Sequence, residues 1–206
     1  MPTRLPLDRL LVPVRQIGAR VSASSLARYG SALLFLPLAP SAADWEALPH
    51  APMLRALHER KIRKAGDTFH LRVGPQAQTL LVIACVAADA TTFERLQAAG
   101  KLARSALEGD PRKLLVWQQG CTTDAADATF HAAIAALQAA AFRFATFKSK
   151  PKSRAALLGI DLARRGKLHE MDLTLATAAG NNLAQRSEER RVGKECEVPC
   201  RSRWSP

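Results

Sequence analysis

Thr79-Leu-Leu-Val-Ile-Ala-Cys-Val-Ala87 is a continuous apolar run with β-branched members, and how it is read decides the fold. A strand that is apolar at every position, rather than at alternate ones, is covered on both faces, as in a parallel sheet with helices above and below. Thr91 then opens a helix, and Glu94 three residues later completes a capping box. Phe93, Leu96, Ala99, Ala103 and Leu107 recur at three- and four-residue spacing, which predicts one buried face. Gly109-Asp110-Pro111 ends the helix.

Working outward, Lys113–Gln118 (KLLVWQ) is the next buried strand. Thr122 or Thr123 caps a second helix, with Asp124 and Asp127 at the positive end of its dipole. Its expected core stripe is Phe130, Ile134, Leu137 and Ala141, and Phe142–Phe147 reads as a third strand. Strand–helix–strand–helix–strand predicts parallel strands joined by right-handed crossovers. Earlier in the chain, Leu10–Val14 and Ser31–Leu38 read as strands, and Pro52 starts a short helix through Met53, Leu54, Leu57 and Arg60. Thr68–Val73 alternates, as an edge or antiparallel strand does. The expected fold is α/β, a mixed sheet of about six strands with helices on both faces. Beyond it, Lys148–Ser153 (KSKPKS) reads as a linker, Ala155–Leu162 as strand-like, and Met171–Gln185 as helical.

The last 21 residues, Arg186–Pro206, stand apart. They resemble the translation of a common short-read sequencing adapter, on both sides of a less secure interruption at Glu197–Cys200. A natural basic tail is the poorer alternative, and such a segment is set aside in reasoning about fold. It holds six basic and four acidic side chains, so removing it lowers the net charge from +12 to +10. The remainder is still basic, which is permissive for nucleic acid or anionic surfaces. No recognisable nucleic-acid module concentrates the charge, so a solvated basic surface is the plainer reading.

Of four cysteines, Cys196 and Cys200 lie in that tail. Cys85 reads as a core thiol, and Cys121 follows Gly120 at a strand end. Two unspaced cysteines form no disulfide framework or metal site and suit a reducing cytoplasm. No segment approaches the roughly 20 apolar residues that cross a bilayer, and the N-terminus has no signal-peptide core. The expectation is a soluble, cytoplasmic protein.

Candidate chemistry is sparse. His50, His58, His70, His131 and His169 form no HExxH or HxH pattern. Ser24, Ser25 and Ser31 lack the nucleophile-elbow context. The glycines form neither a P-loop nor a dinucleotide fingerprint. Gly120-Cys121-Thr122-Thr123 follows a strand and opens a helix, where an α/β fold can cradle an anion, though a plain capped turn explains it as well. Asp124 and Asp127 need no role beyond the helix dipole. No catalytic, cofactor-binding or metal-binding residue is assigned.

Two stretches carry a family resemblance. Leu175–Ala184 (LATAAGNNLA) resembles the helix that opens the catalytic domain of the leucyl aminopeptidase (cytosol aminopeptidase) family, which continues there as G-N-N-L-A-R-W-L-T toward a P-P-N turn. Phe142-Arg-Phe144-Ala-Thr-Phe147-Lys-Ser-Lys150 resembles the family's Y-R-F-x-x-(Y/F)-K-S-K strand and linker. Read alone, Gly180-Asn181-Asn182 is equally a helix C-cap followed by a turn.

The resemblance implies a fold like the macro domain and a parent that removes N-terminal residues from peptide substrates. Two divalent ions, zinc or manganese, would activate water there. Their ligands belong to a C-terminal domain bearing N-T-D-A-E-G-R-L, a motif this sequence lacks. It also implies a homo-hexameric parent, and some family members bind DNA. The implied organisation is an accessory α/β domain over residues 1–147, a linker and strand-like connection over 148–170, the start of the catalytic-domain helix over 171–185, and a disordered non-native tail over 186–206. The chain itself would then be no enzyme and would hold no cofactor. Two alternatives stay open: a free-standing macro-like module binding a nucleotide or other anion, and a basic nucleic-acid-binding domain.

Overall fold

The computed structural model describes residues 11–142 and 156–195. Six strands form one sheet: β1 (Val14–Ile17), β2 (Ser31–Pro37), β3 (Thr68–Val73), β4 (Thr79–Val86), β5 (Lys113–Gln118) and β6 (Gly159–Ala163). Their spatial order is β1-β6-β5-β2-β4-β3. All neighbours are parallel except β3, which runs antiparallel to β4 at one edge. The helices are α1 (Ala23–Leu26), α2 (Ala42–Glu46), α3 (Ala51–Lys61), α4 (Thr92–Leu107), α5 (Thr123–Ala141) and α6 (Met171–Glu195).

β2 separates the two strands that lead into α4 and α5. It pairs Leu34 with Ile83 of β4 on one side and with Trp117 of β5 on the other. Its residues alternate between two cores. Leu33 and Phe35 join Val82, Val116, Ile160 and the inner faces of α4 and α5. Leu34 and Leu36 join Ile83, Leu115 and the residues Leu26, Trp45 and Leu54 of α1–α3. Both faces are therefore covered, as the unbroken apolar run predicts. Each fully buried leucine here contributes about 1.5–3 kcal/mol relative to exposure. β3 shows the opposite pattern, with Phe69, Leu71 and Val73 buried and the residues between them exposed.

Local signals set the helix starts. Thr91 and Glu94 form the expected capping box, with Thr91 N–H donating to Glu94 at 2.8 Å. Ser22 with Ser25, and Ser41 with Asp44, cap α1 and α2 in the same way. The stripe on α5 is as expected at Phe130, Ile134 and Leu137, with Ala141 only half-buried.

The face of α4 differs from expectation. Phe93 is 73% exposed and Leu96 lies near the surface, whereas Arg95 is only 5% exposed. Arg95 lies inside because its guanidinium finds acceptors there: the carbonyls of Ala88 and Ala125 and the hydroxyl of Thr129. The seam against α5 is built instead from Ala98, Ala99, Leu102, Ala103 and Ala106.

Two further differences concern boundaries. The first strand begins at Val14 rather than Leu10, and Leu10 lies outside the described residues. The third strand expected at Phe142–Phe147 falls almost wholly outside the described residues. Phe142 caps α5 with extended backbone, Arg143–Phe147 and the linker Lys148–Ser153 lie outside the described residues, and β6 takes the place beside β5.

Helix α6 runs unbroken through Gly180-Asn181-Asn182, so the alternative of a C-cap and turn there is overturned. It continues to Glu195, into the stretch expected to be disordered; Ser187–Arg191 is rich in Glu and Arg, which are good helix formers. The rest of that stretch, with Cys196 and Cys200, lies outside the described residues.

Candidate functional site

Parallel strands deliver their carboxyl ends to one side of the sheet, and in open α/β sheets that is where ligands bind. Here the ends of β1, β6 and β5 open into a cavity of about 1000 Å³. Arg20 follows β1, Arg164 and Arg165 follow β6, and Gln118–Gly120 end β5. Glu46 enters from α2, and Thr123, Ala126 and Phe130 from α5.

Several of these groups are held in place. Arg164 has a side chain only 8% exposed, lies 5.6 Å over the Phe130 ring, and approaches Asp127 within 2.7 Å as an ion pair outside linear hydrogen-bond geometry. Asp127 is thus an anchor for the chain leaving β6, a role the dipole reading did not foresee. Asp124 remains in the first turn of α5.

Gly120 has a φ of +78°, and a Cβ placed there would lie 2.7 Å from the Asp44 carboxylate. Only glycine fits that combination of left-handed backbone and close approach. Asp44 is itself bound by Ser41 and by Gln119. Burial would raise its pKa, but those hydrogen bonds outweigh it and hold the carboxyl below its usual range.

Other groups are not committed. Among the described residues, the side chains of Arg20, Glu46 and Arg165 form no hydrogen bond or ion pair. Both polar atoms of the Gln118 amide are buried without a well-formed hydrogen bond. Burial pushes the Cys121 thiol up, against the opposing pull of the Gln118 amide and Arg95. Burial likewise pushes Cys85 up to about 12, so neither thiol is primed as a nucleophile.

The remaining candidates are dispersed. Ser25 completes the α1 cap, Ser24 shares a hydrogen bond with Ser22, and Ser31 donates to the Ala106 carbonyl at 2.8 Å. His58 stands edge-on to Trp45, and His131 pairs with Thr174 at 2.7 Å to join α5 to α6. Among the described residues no group of three or more His, Cys, Asp or Glu could hold a metal ion. The implied two-metal centre therefore has no matching donor set there. No helix of the described residues is long and apolar enough to cross a membrane.

Of the groups gathered here, the sequence singled out only Gly120–Thr123 and Asp127. Arg20, Glu46, Gln118 and Arg165 carry no local signature; only their shared position at or beside strand ends distinguishes them.

The class is a three-layer α/β domain with a cavity at its carboxyl edge. Among solved structures it is similar to a mutant of tomato leucine aminopeptidase, with a TM-score of 0.54 and 16% identity over 81% of this chain and 35% of that one. It is also similar to the apo leucyl aminopeptidase from Trypanosoma brucei, with a TM-score of 0.51 and 16% identity over 85% of this chain and 37% of that one. At such identity the likeness is one of fold. The chain spans about a third of the length of these aminopeptidases. No protein-family model and no curated protein matches it.

Proposed function

We propose that this chain is the N-terminal, non-catalytic domain of a leucyl aminopeptidase-like metallo-exopeptidase, joined to the first helix of the catalytic domain. One observation carries the reading: the fold covers most of this chain but only 35–37% of two leucine aminopeptidases. The LATAAGNNLA stretch supports it, since it lies within a continuous helix. On this reading the parent removes N-terminal residues from peptides in the cytoplasm. It uses two divalent ions, zinc or manganese, held by a further domain, and assembles as a homo-hexamer. Residues 1–147 form the accessory domain with a macro-like fold, 148–170 connect, 171–185 start the catalytic domain, and 186–206 are foreign to the protein.

The chain alone then hydrolyses nothing. The deciding experiment is long-read sequencing of the source DNA across codons 180–210, paired with a peptidase assay of the 206-residue chain in zinc or manganese. Continuation of the frame after Ala184 into Arg-Trp-Leu and a Pro-Pro-Asn turn, with an inactive fragment, is the expected result. A genomic stop after Pro206, or metal-dependent release of N-terminal leucine by the fragment, overturns it.

A further inference from the structure

We infer that the cavity at the carboxyl ends of β1, β5 and β6 is a binding site for a short peptide with both termini free. The inference rests on the cavity alone and stands whether or not the chain is an aminopeptidase fragment.

The charges decide the ligand class. Arg164 is neutralised by Asp127, and Asp44 is occupied by Ser41 and Gln119. Among the described residues that line the cavity, that leaves Arg20 and Arg165 as the uncommitted cations and Glu46 as the uncommitted carboxylate, all three exposed to solvent at its mouth. A simple anion would use the arginines and leave Glu46 opposing it. A simple cation would do the reverse. A ligand with a separated ammonium and carboxylate satisfies both, with arginine suited to bidentate capture of the carboxylate.

The floor of the cavity supplies the second requirement. A buried polar group without a partner costs about 1–3 kcal/mol, and native proteins rarely tolerate one. In the Gln118 amide both the donor and the acceptor are buried without a well-formed hydrogen bond, the amide reaching only the Cys121 thiol beside it. A peptide group offers the matching acceptor and donor side by side. The volume of about 1000 Å³ lies at the upper end for small-ligand sites, room for a few residues rather than one amino acid.

The test is a calorimetric titration of the full chain with trialanine, N-acetyl-trialanine, trialanine amide and inorganic pyrophosphate. Saturable binding of trialanine at one site is expected. Acetylation and amidation should each weaken it about tenfold or more, the size of a lost hydrogen bond to a charged group. Glu46→Gln should abolish the penalty for acetylation and keep that for amidation. The double variant Arg20→Gln/Arg165→Gln should do the opposite. Such crossed effects do not arise from a folding defect, and thermal melts of each variant would confirm the fold. Gln118→Leu should weaken all three peptides alike. Absence of saturable trialanine binding, equal binding of the blocked peptides, or pyrophosphate binding tighter than trialanine overturns the proposal. None of these outcomes bears on the source-DNA sequence, so the two proposals fail separately.

Discussion

Asp161 shows how one residue can tie together distant parts of the chain. It lies opposite Arg15 in the β1–β6 register and accepts from both the Arg15 guanidinium and the Tyr29 hydroxyl, the latter at 2.6 Å. Burial alone would raise the Asp161 pKa, but the hydrogen bonds from Arg15 and Tyr29 outweigh it and leave it lowered. Burial, with Asp161 nearby, pushes Tyr29 up to about 12, so the phenol stays a donor. A carboxyl with a depressed folded pKa stabilises the protein above its unfolded value of about 3.9, and that stability is lost as pH falls through the folded pKa. The urea midpoint should therefore fall below about pH 4, and Asp161→Asn should show a shallower acid limb from a lower plateau. An unchanged acid slope in the variant would refute this role. Nothing local marks Asp161: to its neighbours it is one polar position in an apolar strand, and its partners lie more than a hundred residues away.

Secondary-structure elements were legible to different degrees. The α4 start was readable because a capping box is complete within four residues. The buried face of α4 was not, because alanine and arginine do not announce which side is inside. Arg95 is buried because Thr129 and the Ala125 carbonyl of α5, with the carbonyls of Ala88 and Ala90, receive it. The α4–α5 seam depends on small side chains, with Ala99, Ala103 and Ala133 fully buried. Ala103→Leu should overpack it and cost about 1–3 kcal/mol in chemical denaturation, despite leucine's good helix propensity. A neutral or stabilising result would mean the helices are less closely apposed. On α6, Ala178 and Asn182 are buried while Leu173 and Leu183 are exposed, so the helix is docked on one side. Its register against α5 is marked by His131 and Thr174, which no periodicity rule would have paired.

At the scale of the molecule, the decisive feature is β2 at the centre of three layers. Leu33 and Leu34 are adjacent in sequence, both 0% exposed, and belong to different cores. Leu33→Ala and Leu34→Ala should each cost about 2–5 kcal/mol. In a sheet covered on one face only, one of the two would be nearly free, so a large asymmetry in their denaturation midpoints would contradict the three-layer packing.

The sequence by itself determined the central strands and the long helices between them, the two-sided burial of Thr79–Ala87, the alternating edge at Thr68–Val73, and so the α/β class. Those properties follow from hydrogen-bond caps and apolar periodicity, which act within a few residues. Tertiary structure alone decided that β2 lies between β4 and β5, that β6 pairs with β5, and that Arg20, Glu46, Gln118 and Arg165 share one cavity. Several apolar strands can pair with one another almost equally well. Their order is set by long-range packing, and it is that order which places strand ends, and the side chains beside them, side by side.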